Sequence, residues 1–532
     1  MTRYASSLRD RGVREVAPGE GKIFRTPSLM LQGTGSDVGK SLLVAGLCRY
    51  FTRLGYRVRP FKPQNMSNNA AITADGGEIG RAQALQAIAC RAEPTADMNP
   101  VLLKPESGSG SQVVIRGRAQ RVMSADDYLN YRRTLMPAVI ESFGRLCGEA
   151  DIVIAEGAGS CSEVNLRHGD IANMGFATAA GIPVVLVADI DRGGVIASIV
   201  GAYALSGDEE RALLKGCVIN KFRGDRGVFE PALDIIRSHT GLRCFGVMGW
   251  FGEASRLPAE DSLGIPRGGF SSPDGGGKKI RICVLVLSRI SNFDDFDPLA
   301  AEDDVSLFFI RPGEAIPGDA DLVILPGTKS TAADLEFIRH QGWDVDILAH
   351  VRRGGRVLGI CGGFQILGRE VADPDAIESP EPAVMPGLGL LDVSTVMAPA
   401  KVLRRFVSMT SDGVEVSGYE IHAGRTDGPG MERPMMLLDG VPEGAVSPDE
   451  RVLGCYIHGL FTSDGYRSRF LSAFRDGKTG MELNYGAEID RVLDVLADRV
   501  GIELNVKALA ETAGLIGFHS ALADVDPRSN GS

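Results

Sequence analysis

Residues 29–41 read L-M-L-Q-G-T-G-S-D-V-G-K-S. A short apolar strand, Leu29-Met30-Leu31, runs straight into a glycine loop. The loop opens into a helix-length segment, 40–54, with Leu42, Leu43, Ala45 and Leu47 at helical spacing. Strand, glycine loop and helix in that order make a phosphate cradle. Backbone N–H groups turn inward, the helix start favours an anion, and a lysine reaches the terminal phosphates. Gly35 and Gly39 keep the backbone close to the ligand, Lys40 is the phosphate lysine, and the Ser41 hydroxyl is the natural Mg2+ ligand. The loop departs from the strict spacing once: Thr34 stands where the first glycine would, flanked by Gly33 and Gly35.

Outward from this loop, short apolar runs at 58–61, 152–155, 183–188 and 217–219 are separated by helix-length segments. That alternation predicts an α/β domain whose parallel sheet is covered on both faces. Polar residues at the strand ends are candidates for a nucleotide site. Lys62 opens a polar loop, 62–69, and can hold a phosphate. Glu156 ends D-I-V-I-A-E ahead of Gly157-Ala158-Gly159, where a carboxylate can hold Mg2+. Asn220 follows Cys217-Val218-Ile219, where an amide could read adenine. Asp189 and Asp191 are further strand-end acids, with salt bridging as their alternative role.

A stretch rich in Pro, Gly and Ser, 266–279, predicts a linker, and a new buried strand begins at 281. Runs at 321–325 and 356–360 repeat the pattern, so a second parallel-sheet α/β domain is expected over 280–475, after a first over 28–265. Residues 1–27 read as a flexible extension and 476–532 as a helical extension with a polar tail. Within the second domain, Gly359-Ile360-Cys361-Gly362-Gly363 follows a strand and precedes a helix. A nucleophile on such an elbow is exposed at the top of its sheet, in a field that favours thiolate. The Gly362 and Gly363 N–H groups can hold an oxyanion, and the strand-end loop at 325–330, with Gly327, can supply a second N–H. A thiolate needs a base. His458 and His422 both end glycine-framed apolar strands, and on chemistry alone either can serve.

Composition fits this reading. The chain has 532 residues and a formal net charge of −11, with 44% hydrophobic and 23% charged residues, so it is globular and lacks the basic footprint of a nucleic-acid protein. Glycine is in excess, 67 residues or about 13% against a usual ~7%. No Gly-X-Y repeat exists, and the excess falls mostly on strand-end loops. Nine cysteines include no C-x-x-C pair, which argues against a zinc ribbon or a disulfide frame. No apolar run approaches a membrane span, and no signal segment is read, so a cytoplasmic setting is expected.

G-I-C-G-G-F-Q-I-L-G (359–368) resembles the nucleophile elbow of class I glutamine amidotransferases. G-T-G-S-D-V-G-K-S (33–41) resembles the variant phosphate loop of dethiobiotin synthetase. Their fusion in this order resembles the cobyric and cobyrinic acid amide synthases. F-K-P-Q-N-M-S-N-N (61–69), E-G-A-G-S (156–160), V-A-D-I-D-R-G-G (187–194) and N-K-F-R-G-D (220–225) are similar to the cobyric acid synthase branch. So are L-P-G-T-K-S (325–330), G-Y-E-I-H (418–422) and Y-I-H-G-L-F (456–461). The resemblance covers 28–475.

It implies a phosphate-loop NTPase-like domain followed by a flavodoxin-like class I glutaminase. The implied activity is ATP- and glutamine-dependent amidation, in cobalamin synthesis, of the b, d, e and g carboxylates of an adenosylated corrin a,c-diamide. It also implies Cys361 as nucleophile, His458 as its base, Lys40 and Ser41 at the phosphate and Mg2+ positions, and Glu156 as a second Mg2+ ligand. Ammonia released at Cys361 would attack an ATP-derived acyl phosphate, reached by an internal path. Partners would be glutamine and a corrinoid polycarboxylate, with no nucleic acid and no membrane; a homo-oligomer is left open. Arg192, Lys221 and Arg223 are candidates to hold the polyanion. Two residues depart from the pattern: His458-Gly459-Leu460 lacks the acid of His-x-Glu, and Cys161 stands where the branch more often has proline. Two alternatives share part of this reading. Cobyrinic acid a,c-diamide synthase has both loops, and a phosphate-loop ATPase switch would leave the Cys361 elbow unexplained.

Overall fold

The computed structural model describes residues 13–14, 23–105, 110–258, 270–271, 279–379, 381–398, 402–475 and 483–518. They form two compact units that do not follow a single cut in the chain. The first takes the described residues up to Ser67, then Thr73–Ser255, and those from Ile489 on. The second takes Asn68–Ile72 and Arg256–Glu488.

The core of the first unit is an all-parallel sheet of six strands. β1 (Ser28–Gly33) leads through the glycine loop into α1 (Lys40–Arg53), followed by β2 (Val58–Phe61), α2 (Arg81–Ala89), β3 (Ile152–Ser160), β4 (Val184–Asp189), β5 (Leu214–Phe222) and β6 (Arg243–Gly249). Their order across the sheet is β6-β5-β4-β1-β3-β2. β1 is therefore central, with Leu31 opposite Glu156 of β3 and Val185 of β4. Every residue of β1 and β4 is buried, as expected of strands covered on both faces. Because all six strands run one way, their carboxyl ends share one edge, and that edge carries the glycine loop, Glu156 and Asn220.

Three expectations change in detail. The polar loop at 62–69 contains a strand, Gln64–Met66, which runs parallel to Val101–Pro105 in a separate four-stranded sheet. Its buried Asn65 is satisfied by Gln83 at 3.0 Å, so a polar sequence can pair inside. In the N-terminal extension, Val13–Arg14 pairs with Ile23–Phe24, and the Phe24 ring sits edge-on to Phe143; the rest of 1–22 lies outside the described residues. The linker at 266–279 also lies outside them except for 270–271 and 279, and Phe270–Ser271 is an antiparallel edge strand.

The C-terminal helices complete the first unit. Tyr485–Glu503 presents Leu496 and Val500 to α1, where Gly46 has no side chain: a Cβ there would lie 2.8 Å from Val500 Cγ2. Buried Arg49 of α1 is paired with Asp490 and, at 2.9 Å, with Asp494. α1 is buried nearly all round, so it needs cover on the face its own sheet does not reach. The polar tail beyond 518 lies outside the described residues.

The second unit is built on β7 (Ile280–Leu285), β8 (Val305–Ile310), β9 (Leu322–Leu325), β10 (Arg356–Ile360), α3 (Gly362–Leu367), β11 (Glu415–His422) and β12 (Val452–Cys455). Its sheet runs β8-β7-β9-β10-β12 in parallel, with Phe270–Ser271 and Ala445–Val446 as antiparallel edges. β11 is outside this sheet and pairs with Val402–Met409.

Candidate active sites

In the first unit the glycine loop closes on itself through side chains. Gly39 takes φ 88°, a left-handed conformation that spares glycine the Cβ penalty, and caps α1. Lys40 is buried, and its Nζ donates to the Gly159 carbonyl at 2.9 Å and the Gly35 carbonyl at 3.4 Å. The Ser41 hydroxyl donates to Glu156 Oε1 at 2.7 Å, Lys62 Nζ lies 2.9 Å from the same oxygen, and Gln86 Nε2 of α2 donates to Oε2 at 2.6 Å. Glu156 is wholly buried. Three residues, Ser41 of α1, Lys62 just past β2 and Gln86 of α2, thus meet at the one Glu156 carboxylate of β3; Gln86 was absent from the sequence reading. Its only signal is a polar residue on the buried face of a short helix.

Asn220 donates through Nδ2 to the Val38 carbonyl at 2.8 Å, bracing the loop from behind. Asp189 receives Lys221 at 2.9 Å and lies 3.6 Å from Arg192, while Arg223 pairs with Asp191 at 3.2 Å and lies over the Trp250 ring. The three candidate cations and the two strand-end acids therefore neutralise one another. Ser41 and Glu156 offer hard oxygens side by side, a donor set that suits Mg2+ sharing its sphere with water and phosphates. Among the described residues no cluster of three or more His, Cys, Asp or Glu could hold a metal alone.

In the second unit β10 ends at Cys361, which takes φ 53° and ψ −110° before α3 begins. A β-carbon-bearing residue at positive φ is strained, and the strain turns the thiol out of the strand line. Gly363 permits the tight turn, since a Cβ there would fall 2.0 Å from the Leu325 carbonyl. Cys361 Sγ lies 3.6 Å from the Ile421 carbonyl of β11. A Cβ on Gly327 would lie 2.8 Å from His458 Cε1, so glycine there lets the ring come close, and one on Gly362 would meet Thr328 Cγ2.

The structure separates the two candidate bases. His422 stacks on the Tyr456 ring at 3.7 Å. His458, fully buried, engages the Cys361 side chain, and its Nδ1 lies 2.6 Å from Asp295 Oδ2. The other oxygen of Asp295 accepts from the Gly459 N–H at 2.7 Å. Burial works against a charged imidazole here, but the Asp295 carboxylate and Cys361 outweigh it and push His458 up to about 10. Asp295 stands in the place of the acid missing after His458, on the short helix Phe293–Phe296.

Residues 281–466 match the family described as the CobB/CobQ-like glutamine amidotransferase domain, and 29–264 match the CobQ/CobB/MinD/ParA nucleotide binding domain. Among curated relatives, the cobyric acid synthase of Cereibacter sphaeroides (strain ATCC 17025 / ATH 2.4.3) is 57% identical over 488 residues, which is 92% of this chain and all of that one. The chain belongs to the cobyric acid synthase family. The cobyric acid synthases of Bradyrhizobium diazoefficiens and Rhizobium etli (strain CIAT 652) are 56% and 53% identical, over 91% and 92% of this chain and 99% of each relative. Like other cobyric acid synthase family members it is a glutamine amidotransferase ligase with an ATP-binding half. Among the described residues no helix is long and apolar enough to cross a membrane.

Proposed function

We propose that this protein converts the b, d, e and g carboxylates of adenosylcobyrinic acid a,c-diamide into amides, yielding adenosylcobyric acid, in the cytoplasm. Each amidation consumes one ATP and one glutamine. The reading draws its main support from the Asp295–His458–Cys361 array, an acid, imidazole and thiol joined in the order nucleophilic amide hydrolysis requires.

Asp295 holds Nδ1–H and so turns Nε2 toward Cys361. The thiol proton passes to Nε2, and the thiolate attacks the glutamine side-chain carbonyl. The Gly327 and Gly362 N–H groups are the proposed oxyanion donors. As the C–N bond breaks, Nε2 returns its proton to the departing ammonia and leaves a thioester. His458 then takes a proton from water as that water attacks the thioester carbonyl, and the C–S bond breaks to release glutamate and free Cys361.

In the first unit, a corrin carboxylate oxygen attacks the γ-phosphorus of ATP, ADP departs, and an acyl phosphate forms. Ammonia displaces phosphate from it. Gly35, Gly39 and Lys40 cradle the phosphates, Lys62 balances Glu156, and Asn220 stiffens the loop. Mg2+ held by Ser41 and Glu156 would neutralise charge on the transferring phosphoryl group. Mass spectrometry of the corrin a,c-diamide after incubation with ATP, Mg2+ and glutamine should show four successive acid-to-amide steps. Cys361→Ala should abolish glutamine-supported turnover and keep ammonia-supported turnover; survival of both would end the amidotransferase reading.

A further inference from the structure

The tail of the 61–69 motif has no part in this mechanism, yet it reaches the catalytic histidine. Asn69 and Ala70 belong to the second unit and grip one residue there, Asn292, by its backbone and its side chain respectively. Asn292 adopts φ 53°; its backbone N–H donates to Asn69 Oδ1 at 2.8 Å, and its Oδ1 accepts from the Ala70 N–H at 3.4 Å. Its Nδ2 lies 3.3 Å from His458 Nε2. Tyr419, stacked on the His458 ring at 5.2 Å, donates its hydroxyl to the Ala70 carbonyl at 3.4 Å. A backbone N–H can only donate, so the atom facing Ala70 must be the amide oxygen, and the amide N–H2 must face His458.

We infer that Asn292, oriented by Asn69 and Ala70, is a positioning residue that opposes proton transfer from Cys361 to His458. The inference rests on the glutaminase reading above. An amide N–H gains a hydrogen bond at Nε2 only while that nitrogen keeps its lone pair. Once Nε2 takes the thiol proton, two N–H groups face each other. The other polar neighbours of the ring pull the opposite way: Asp295 at Nδ1 and the Cys361 sulfur both favour imidazolium. Asn292 thus limits the resting thiolate and, with it, idle glutamine hydrolysis.

The test is the pH dependence of Cys361 alkylation by iodoacetamide in the full chain, followed by peptide mass spectrometry. Asn292→Asp and Asn292→Gly both tolerate positive φ, so neither adds backbone strain. Asp places an acceptor against Nε2–H and should lower the alkylation midpoint by about one pH unit, roughly tenfold more thiolate below it. Gly should lower it by less. Asn69→Ala, which frees the Asn292 backbone, should move it the same way as Gly. A merely structural role would depress the melting temperature and leave the midpoint in place. Midpoints equal within about 0.2 units, or raised in Asn292→Asp, overturn the inference. If excess glutamine fails to protect Cys361 in the parent protein, the glutaminase reading itself fails and takes the inference with it.

Discussion

Asp295→Asn isolates the charge and tautomer control that the carboxylate provides, at nearly constant shape. Asp295 accepts two hydrogen bonds, from His458 Nδ1 at 2.6 Å and from the Gly459 N–H at 2.7 Å. Asparagine has one acceptor. The Gly459 N–H is a fixed donor, so the asparagine oxygen must stay with it, and the new N–H2 must face Nδ1. That forces the proton of neutral His458 onto Nε2, where the ring can no longer take one from Cys361. The lost attraction between carboxylate and imidazolium, with charge centres about 4 Å apart, is ~4 kcal/mol at an effective dielectric constant of 20. At 1.36 kcal/mol per tenfold, glutamine hydrolysis should fall about 10³-fold. The assay is kcat for glutamate release, with ammonia-supported amidation measured beside it. A kcat within about threefold of the parent would refute the role assigned to Asp295. Stability has its own signature. His458 is raised to about 10, so Asp295 stabilises the fold fully below the unfolded value near 6.5, and that contribution disappears as pH rises through 10. The melting-temperature deficit of Asp295→Asn should therefore be largest near pH 6 and fade toward pH 10.

Two further substitutions probe the first unit. Lys62→Met leaves buried Glu156 with Ser41 and Gln86 but without its cation, which should cost about 3 kcal/mol of stability and weaken ATP binding at least tenfold by calorimetry; unchanged affinity would free Lys62 of its role. Gly46→Leu drives a side chain into Leu496 and Val500, and overpacking of this kind costs about 1–3 kcal/mol, so the melting temperature should drop by about 5 °C. An unshifted transition would show that the C-terminal helix yields without cost.

The two loops were legible because each carries its chemistry in consecutive residues. Strand, glycine turn and nucleophile or lysine fall within a dozen positions, and local geometry follows from sterics alone. Asp295 was not legible. It lies 163 residues before His458, beside Asp294 and near Asp297, and only the turn of a short helix decides which acid meets the ring. A search for an acid next to the histidine fails because the chain supplies it from the opposite end of the domain. The apolar stripe of the C-terminal helix was readable, but its partner was not: Arg49 and Asp494 are 445 residues apart. The segment around Asn69 looked like loop because its polar side chains find partners far along the chain, Asn65 with Gln83 and Asn69 with the Asn292 N–H, pairings no periodicity reports.

The interlaced chain path bears on how such a protein could be taken apart. A gene cut within 265–280, the natural choice from the family boundaries, would yield one polypeptide lacking the helices that cover α1 and another lacking Asn69 and Ala70. Each product would carry a fragment that only its counterpart can use. Co-production in one cell would then be a complementation experiment rather than the assembly of two finished subunits, and mixing halves purified separately should recover far less enzyme than making them together.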